Sequence, residues 1–270
     1  MKFDQYLIVS DMDGTFLGEG SSLVERNLEA IKYFKENGGI FTIASGRDYR
    51  VFDPIFPNAH EYLSGPAILS NGSYLFNCQT KEIIEEQYLD KDEFLSILKE
   101  FEKEFPNVGY RISCEKGFLC PKLTNFLKSK TTKFASLIVE ESLEDNMDIQ
   151  WHKCVFVAEP ETIVKIGEYF KDLNSQLIAG TTSYVTLFEL VPKKASKGQK
   201  LERLKEFYPG RQTICVGDFT NDMDMLLAAD IAACPENALD EIKRICKIHL
   251  CRNTEGCIAD LIYKLDSSTK

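Results

Sequence analysis

The sequence has no excess of positive charge. Its 270 residues include 32 Lys and Arg against 42 Asp and Glu, which gives a net charge of −10 at pH 7. Proteins that bind nucleic acid usually carry a basic surface, so the composition argues against a nucleic-acid partner. A small anionic ligand remains compatible, because a metal ion and a few lysines can reverse the local potential.

Long apolar runs and paired cysteine motifs are also missing. No stretch of about 20 apolar residues occurs, so we expect no membrane span, and the N-terminus lacks the apolar segment of a signal peptide. The nine cysteines include no Cys-x-x-Cys pair, which argues against a zinc site. We therefore expect a cytoplasmic protein whose cysteines are reduced thiols that pack as small hydrophobic side chains.

Three common ligand-binding motifs are excluded as well. No Gly-x-x-x-x-Gly-Lys-Ser/Thr sequence occurs, which excludes the phosphate-binding loop of P-loop NTPases. After Gly18-Glu19-Gly20, Leu23 stands where a dinucleotide-binding fingerprint has its third glycine. A calcium loop of the EF-hand type would begin at Val9 and end at Gly20, and neither residue can supply the required ligand.

The sequence contains a series of short apolar runs, separated by segments in which apolar residues recur at helical spacing. The runs that are typical of buried parallel strands lie at 6–10, 40–44, 67–70, 213–216 and 231–234. Strands that alternate with helices in this way predict an α/β fold with a doubly wound parallel sheet.

The pattern changes near residue 80 and resumes after Pro192. Residues 81–191 mix helical segments with predicted antiparallel strands, including one at 184–191. We therefore predict a Rossmann-like core made of residues 1–80 and 192–270, with an α+β domain of residues 81–191 inserted into it.

Polar clusters follow three of the predicted strands. They are Asp11-Met12-Asp13-Gly14-Thr15, Ser45-Gly46-Arg47 and Gly217-Asp218-Phe219-Thr220-Asn221-Asp222. Ligands of doubly wound sheets bind beyond the carboxyl ends of the strands, so the four carboxylates should meet at one rim. Carboxylates that lie close together repel one another, and a cation that prefers oxygen ligands, such as Mg²⁺, is their natural partner.

Together and in this order, the motifs resemble those of haloacid dehalogenase-type phosphatases. Asp11–Thr15, Ser45–Arg47, Ser196-Lys197-Gly198 and Gly217–Asp222 are similar to the first, second, third and fourth motifs of that family. Ser70-Asn71-Gly72 resembles an Asn-Gly element of its Cof-type branch. The resemblance implies a core with an inserted cap domain and Mg²⁺-dependent hydrolysis of small phosphate monoesters through an aspartyl-phosphate.

The resemblance also implies a role for each matched residue. Asp11 would attack the phosphorus atom, and Asp13 would protonate the leaving oxygen and then activate water. The metal would be held by Asp11, the Asp13 carbonyl and Asp218, with Asp222 nearby as a direct or water-mediated ligand. The predicted contacts to the phosphorylated substrate come from the same motifs and are Ser45, Gly46, Arg47, Asn71, Lys197 and Asn221.

Four of these residues have a structural alternative at this point. Lys197 could be a solvated helix lysine, and Asn221 could be the N-cap of its helix. Arg47 could be a surface arginine in the first turn of a helix, and Asn71-Gly72 could be only a turn.

The intervals between motifs indicate where an inserted domain fits. One helix and one strand fill the interval from Asp11 to Ser45, whereas the interval from Ser45 to Lys197 has room for a domain. Such a domain resembles the cap of Cof-type phosphatases, whose substrates are sugar phosphates or cofactor-related phosphates. Two alternatives stay open: a phosphomutase on hexose phosphates, which resembles this architecture, and a non-catalytic protein that binds a phosphorylated metabolite.

Overall fold

The computed structural model of the protein describes residues 1–172 and 175–268. It divides into two compact units, Met1–Glu85 with Ser196–Lys270, and Glu86–Ala195. Leu173 and Asn174 of the predicted inserted domain, and Thr269 and Lys270 of the predicted core, lie outside the described residues.

The described residues form strands and helices in alternation along much of the chain. The strands are β1 (Tyr6–Ser10), β2 (Ile40–Ile43), β3 (Ala67–Leu69), β4 (Tyr74–Asn77), β5 (Glu82–Glu86), β6 (Gly109–Cys114), β7 (Gly117–Lys122), β8 (Ile138–Val139), β9 (Trp151–Val157), β10 (Ile178–Tyr184), β11 (Leu187–Pro192), β12 (Gln212–Val216), β13 (Ile231–Pro235) and β14 (Ile248–Leu250). The helices are α1 (Glu25–Glu36), α2 (Tyr49–Ile55), α3 (Ala59–Tyr62), α4 (Lys91–Glu104), α5 (Asn125–Lys130), α6 (Pro160–Lys171), α7 (Lys197–Lys205), α8 (Met223–Ala228), α9 (Asp240–Ile245) and α10 (Cys257–Ser268).

A parallel sheet of order β14-β13-β12-β1-β2 forms the centre of the first unit. Alternate residues of β1 face the helices on opposite sides of the sheet. Ile8 packs in a cluster with residues of α1 and α10, whereas Leu7 and Val9 pack in a second cluster with residues of α7 and α8. Helices on both faces explain why the strands read as continuous apolar runs. The predicted α/β fold with a doubly wound parallel sheet is confirmed.

Two strand predictions for this chain were wrong in detail, and one strand of the parallel sheet was not predicted. The run at 67–70 forms β3, which pairs antiparallel with β4 and joins the parallel sheet through the bridge between Ala44 and Ile68. The predicted strand at 184–191 is instead the end of β10, a turn and β11. β14 was not predicted. An apolar run does not specify its pairing partner, because that choice depends on contacts distant in sequence.

The parallel arrangement places three sequence motifs at one edge. β1 pairs with β12 on one side and with β2 on the other, and all three run in the same direction. Asp11 follows the last residue of β1, Ser45 lies just beyond β2, and Asp218 lies just beyond β12. Their meeting at the carboxyl edge is therefore a consequence of strand order.

The second unit contains a six-stranded sheet of order β10-β11-β9-β6-β7-β8. Its strands are antiparallel except for the pair β7–β8. Phe101 of α4, Phe156 of β9 and Phe170 of α6 pack in one aromatic cluster, with ring centroids 4.1 to 5.9 Å apart. Trp151, the only tryptophan of the chain, is fully buried in the same core.

A buried ion pair links two strands of this sheet. Lys153 Nζ on β9 lies 2.6 Å from Glu189 Oε2 on β11, and their side chains are only 2% and 3% exposed. Ser183 donates a hydrogen bond of 2.7 Å to the other oxygen of Glu189. Burial alone would raise the pKa of Glu189, but Lys153 and Ser183 outweigh burial, and the pKa is lowered.

We expect Lys153→Met to destabilise the second unit by about 3–5 kcal/mol, because the buried Glu189 carboxylate loses the ammonium group that lies 2.6 Å from it. Trp151 fluorescence during urea unfolding reports on this unit. Lys171→Met is the matched control, since its pair with Glu168 is 69% and 71% exposed and exposed pairs contribute under about 1 kcal/mol. Equal unfolding midpoints for the two variants would contradict the prediction.

The cysteines and the helices bear on two expectations drawn from the composition. Eight of the nine cysteines are buried and Cys251 is partly exposed, so the predicted packing of cysteines as small hydrophobic side chains is confirmed for those eight. In the described part of the chain, every helix is too short or too polar to cross a bilayer.

Candidate active site

Three carboxylates meet at the carboxyl edge of the parallel sheet. One oxygen from each of Asp11, Asp218 and Asp222 lies within 4.8 Å of the others. Asp11 is 5% exposed and Asp222 is fully buried. Four converging carboxylates were expected from the sequence, but the side chain of Asp13 is not part of this cluster.

Lys197 supplies the positive charge inside the cluster. Ser196 caps the start of α7 by accepting a hydrogen bond from the Gln199 backbone N–H at 3.1 Å, and Lys197 is the first residue of that helix. Its Nζ lies 2.5 Å from Asp11 Oδ1 and 2.6 Å from Asp222 Oδ1. The side chain is fully buried, so the alternative of a solvated helix lysine is wrong.

The pKa values in the cluster show an excess of negative charge. Burial would lower the pKa of Lys197, but the carboxylates of Asp11 and Asp222 outweigh burial and raise it. Burial, together with the neighbouring carboxylate of Asp222, raises the pKa of Asp11 well above its ordinary value. Burial and Asp222 also raise the pKa of Asp218 to about 7. One ammonium group therefore does not balance three carboxylates.

The hydrogen bonds show which oxygens are available to a cation. Both oxygens of Asp222 are engaged: Oδ1 by Lys197 and Oδ2 by the backbone N–H groups of Asp218 and Phe219, at 3.0 and 3.2 Å. Asp218 Oδ1 accepts from the Thr15 hydroxyl at 2.7 Å. Within the described residues, Asp11 and Asp218 each keep one oxygen without a protein donor. The donor set and the unbalanced charge fit a divalent cation that prefers oxygen ligands.

Gly14 is required for this geometry. Its φ of +82° lies in the left-handed region that favours glycine. A Cβ atom at this position would lie 2.4 Å from Asp218 Oδ2. The turn after Asp11 can therefore approach Asp218 only because residue 14 has no side chain.

The Asp13 carboxylate lies outside the cluster and is bound by Arg47. Arg47 Nε donates to Asp13 Oδ2 and Arg47 Nη2 donates to Asp13 Oδ1, both at 2.6 Å. The Asp13 side chain is 44% exposed. Asp48 is the N-cap of α2, so Arg47 precedes that helix and does not lie in its first turn, contrary to the structural alternative.

Ser45, Gly46 and Asn71 are brought together by a left-handed turn. Ser70, Asn71 and Gly72 have φ values of +51°, +54° and +87°, and the Asn71 backbone N–H donates to the Ser45 carbonyl at 3.0 Å. A Cβ at Gly46 would lie 3.1 Å from Asn71 Oδ1. The turn interpretation of 71–72 is therefore correct, and the same turn places Asn71 beside the second motif.

Asn221 completes this group from a distant part of the chain. Its Nδ2 donates to Asn71 Oδ1 at 3.0 Å. It lies in the short 3₁₀ segment Thr220–Asp222, before α8 begins at Met223. The alternative that its side chain caps the helix is wrong.

Three residues that contact this site were not predicted from the sequence. Thr15 donates to Asp218, Asn237 Nδ2 donates to the Gly14 carbonyl at 2.8 Å, and the Ser21 hydroxyl accepts from Arg47 Nη2 at 3.2 Å. Thr15 belongs to the first quoted motif, and Asn237 lies two residues after the end of β13, in the segment Cys234-Pro235-Glu236-Asn237-Ala238. Ser21 carries no signal of its own, because its left-handed φ of +67° cannot be inferred from a serine.

Comparisons with known proteins agree with this architecture. The 5-amino-6-(5-phospho-D-ribitylamino)uracil phosphatase YitU of Bacillus subtilis is 23% identical, over 96% of this chain and 97% of the relative. The pyridoxal phosphate phosphatase YbhA of Escherichia coli is 22% identical, over 95% and 97%. A solved haloacid dehalogenase-like hydrolase from B. subtilis superposes with a TM-score of 0.80 at 22% identity, covering 95% of this chain and 98% of that one.

A family model for haloacid dehalogenase-like hydrolases matches residues 8–262. The match spans both core segments and all the motifs quoted above. The phosphatase relatives support the predicted enzyme class, a phosphoric monoester hydrolase. The chain therefore belongs to the haloacid dehalogenase-like hydrolase family.

Proposed function

We propose that this protein is a Mg²⁺-dependent phosphatase that hydrolyses small phosphate monoesters through an aspartyl-phosphate on Asp11. One observation carries the proposal: Lys197 holds one oxygen of the buried Asp11 carboxylate, while the other oxygen has no protein donor in the described residues. An oriented carboxylate with one available oxygen is suited to nucleophilic attack.

The chemistry would proceed in two displacements. The free oxygen of Asp11 attacks the phosphorus, the bond to the ester oxygen breaks, and Asp13 gives its proton to the departing alcohol. Asp13 then takes a proton from water, which attacks the aspartyl-phosphate, releases inorganic phosphate and restores Asp11. Mg²⁺, held by Asp11, Asp218 and the Asp13 carbonyl, would offset charge on the phosphoryl group.

Other residues of the site would bind the phosphoryl oxygens. Lys197 is placed to stabilise developing negative charge, and the Ser45 hydroxyl, the backbone at Gly46 and the Asn71 amide lie together at the neighbouring strand end. Asn221 is placed beside this group by the hydrogen bond that its Nδ2 donates to Asn71 Oδ1. Asp222, whose oxygens are engaged by protein donors, would orient Lys197 and contact the metal through water.

The substrate class is proposed to be sugar phosphates or cofactor-related phosphates. The names of two relatives support this range, since they specify a phosphorylated ribitylaminouracil and pyridoxal phosphate as the compounds on which those proteins act. We assign residues 86–195 as the cap domain of this enzyme.

Hydrolysis of p-nitrophenyl phosphate tests the proposal. We expect phosphate release that requires Mg²⁺, stops with EDTA and returns when Mg²⁺ is added in excess, because three carboxylates face one ammonium group without the cation. A panel of sugar phosphates, pyridoxal phosphate and 5-amino-6-(5-phospho-D-ribitylamino)uracil would then rank substrates. Wild-type protein that hydrolyses none of these with Mg²⁺ would overturn the proposal, and activity that needs added sugar bisphosphate would indicate a mutase.

A further inference from the structure

The turn of residues 70–72, which follows β3, is fixed to the loop that carries the second motif. The Ser70 backbone N–H donates to the Arg47 carbonyl at 2.9 Å. The Asn71 backbone N–H donates to the Ser45 carbonyl at 3.0 Å. All three residues of the turn are buried, so these hydrogen bonds leave the turn little freedom to move.

Gly72 brings this turn into contact with the backbone just before α7. Its φ of +87° lies in the left-handed region that favours glycine. A Cβ atom at this position would lie 2.9 Å from the Ser196 nitrogen, and closer still to the Ser196 carbonyl carbon and oxygen. Because these are backbone atoms, a change of side-chain rotamer cannot relieve the overlap, and one of the two segments would have to move.

A second glycine makes a similar contact on the other side of Lys197 in the sequence. A Cβ atom at Gly198 would lie 2.8 Å from the carbonyl oxygen of Asp224 in α8. The Gly198 N–H donates to Asp224 Oδ2 at 3.1 Å. The first turn of α7 is therefore held by close backbone contacts immediately before and immediately after Lys197.

The position of Lys197 has a narrow tolerance. Its Nζ lies 2.5 Å from Asp11 Oδ1 and 2.6 Å from Asp222 Oδ1, and its side chain is fully buried. Two short contacts with different carboxylates restrict where the backbone of residue 197 can lie. A misplacement of about 1 Å at a reacting group is enough to lower a rate about a hundredfold.

We propose that Gly72 and Gly198 are positioning residues, which set the Lys197 ammonium group against Asp11 by fixing the start of α7. Neither glycine touches the reacting atoms, and each acts through the backbone next to Lys197. The inference rests on the proposed function for its effect on rate. The placement of Lys197 can also be measured without a substrate.

A double-mutant cycle with Lys197→Met tests the inference through activity. Gly72→Ala and Gly198→Ala should each lower kcat for p-nitrophenyl phosphate with Mg²⁺ by about tenfold to a hundredfold. In the Lys197→Met background, assayed at high enzyme concentration, each should lower kcat by less than about threefold, because the group that they displace is gone. An equal loss in both backgrounds would show that the glycines act through folding or other contacts, and would overturn the inference.

Two features separate this effect from the backbone cost of replacing glycine. Gly210→Ala is the matched control for Gly72→Ala, since Gly210 has a φ of +79° and a Cβ there would meet no described atom within 4 Å. It should keep kcat within about threefold of wild type. Gly198 lies inside α7, where alanine has the higher helix propensity, so a loss in Gly198→Ala comes from the contact with Asp224.

Urea unfolding in EDTA tests the placement of Lys197 without a substrate. Lys197→Met should lower the unfolding midpoint of the first unit less in the Gly72→Ala or Gly198→Ala background than in wild type, because the ammonium group is already displaced from the carboxylates. Equal lowering in all three backgrounds would overturn the inference. Wild-type protein that hydrolyses no ester would contradict the proposed function, whereas the urea measurement would still decide this inference.

Discussion

Replacing Asp11 with Asn is expected to lower kcat for phosphate release by at least about a thousandfold, as removal of a covalent nucleophile does in other enzymes. The amide has nearly the size of the carboxylate, and its oxygen can still accept the hydrogen bond from Lys197. What it loses is the charge and the nucleophilic oxygen. The variant therefore separates the chemistry of residue 11 from its packing.

Phosphate release from p-nitrophenyl phosphate with Mg²⁺ measures the effect. Asp4→Asn is the matched control, because its side chain is 56% exposed and forms an ion pair with the Met1 amino group. This control should keep full activity. If Asp11→Asn retained activity comparable to the control, the phosphoenzyme route would be wrong, and direct attack by water would have to replace it.

Replacing Lys197 with Met is expected to reduce both stability and activity. Asp11 and Asp222 would lose the buried ammonium group that lies 2.5 and 2.6 Å from them. In EDTA, the free energy of unfolding of the first unit should fall by about 3–5 kcal/mol, as when one partner of a buried ion pair is removed. With Mg²⁺ present, kcat should fall about 10²- to 10³-fold, as for the loss of a group that stabilises the transition state.

Urea unfolding followed by far-UV circular dichroism, with and without Mg²⁺, tests the stability effect. Mg²⁺ should recover part of the loss, because a cation bound only by the folded state stabilises it and supplies positive charge to the same carboxylates. Lys264→Met is the control, since Lys264 is 49% exposed and its pair with Asp260 lies on the surface of α10. Unchanged stability of Lys197→Met in EDTA would show that the carboxylates do not depend on Lys197.

Much of the site was predictable because its motifs follow the carboxyl ends of parallel strands. Asp11 and Asp218 follow strands whose apolar runs are visible in the sequence, and parallel neighbours must bring their carboxyl ends to the same edge. The position of Lys197 followed from the resemblance of its motif rather than from any physical signal. Burial of its side chain, which excluded a solvated lysine, became evident only from the packing of α7.

Other parts of the site depend on contacts that no local pattern encodes. Asn221 donates to Asn71, a residue 150 positions earlier in the chain, and the sequence equally allowed a helix cap. Asp13 looked like a fourth carboxylate of the cluster, yet Arg47 binds its side chain outside it.

The sequence by itself determined the fold class, the family and the carboxyl edge at which the motifs meet, because apolar periodicity and motif order are local properties of the chain. Only the tertiary structure decided the partners of β3, the separation of Asp13 from the three-carboxylate cluster, and the left-handed conformation of Ser21. These features depend on which distant groups satisfy charges and hydrogen bonds once the chain is compact. Packing, and not the order of residues along the chain, selects these partners.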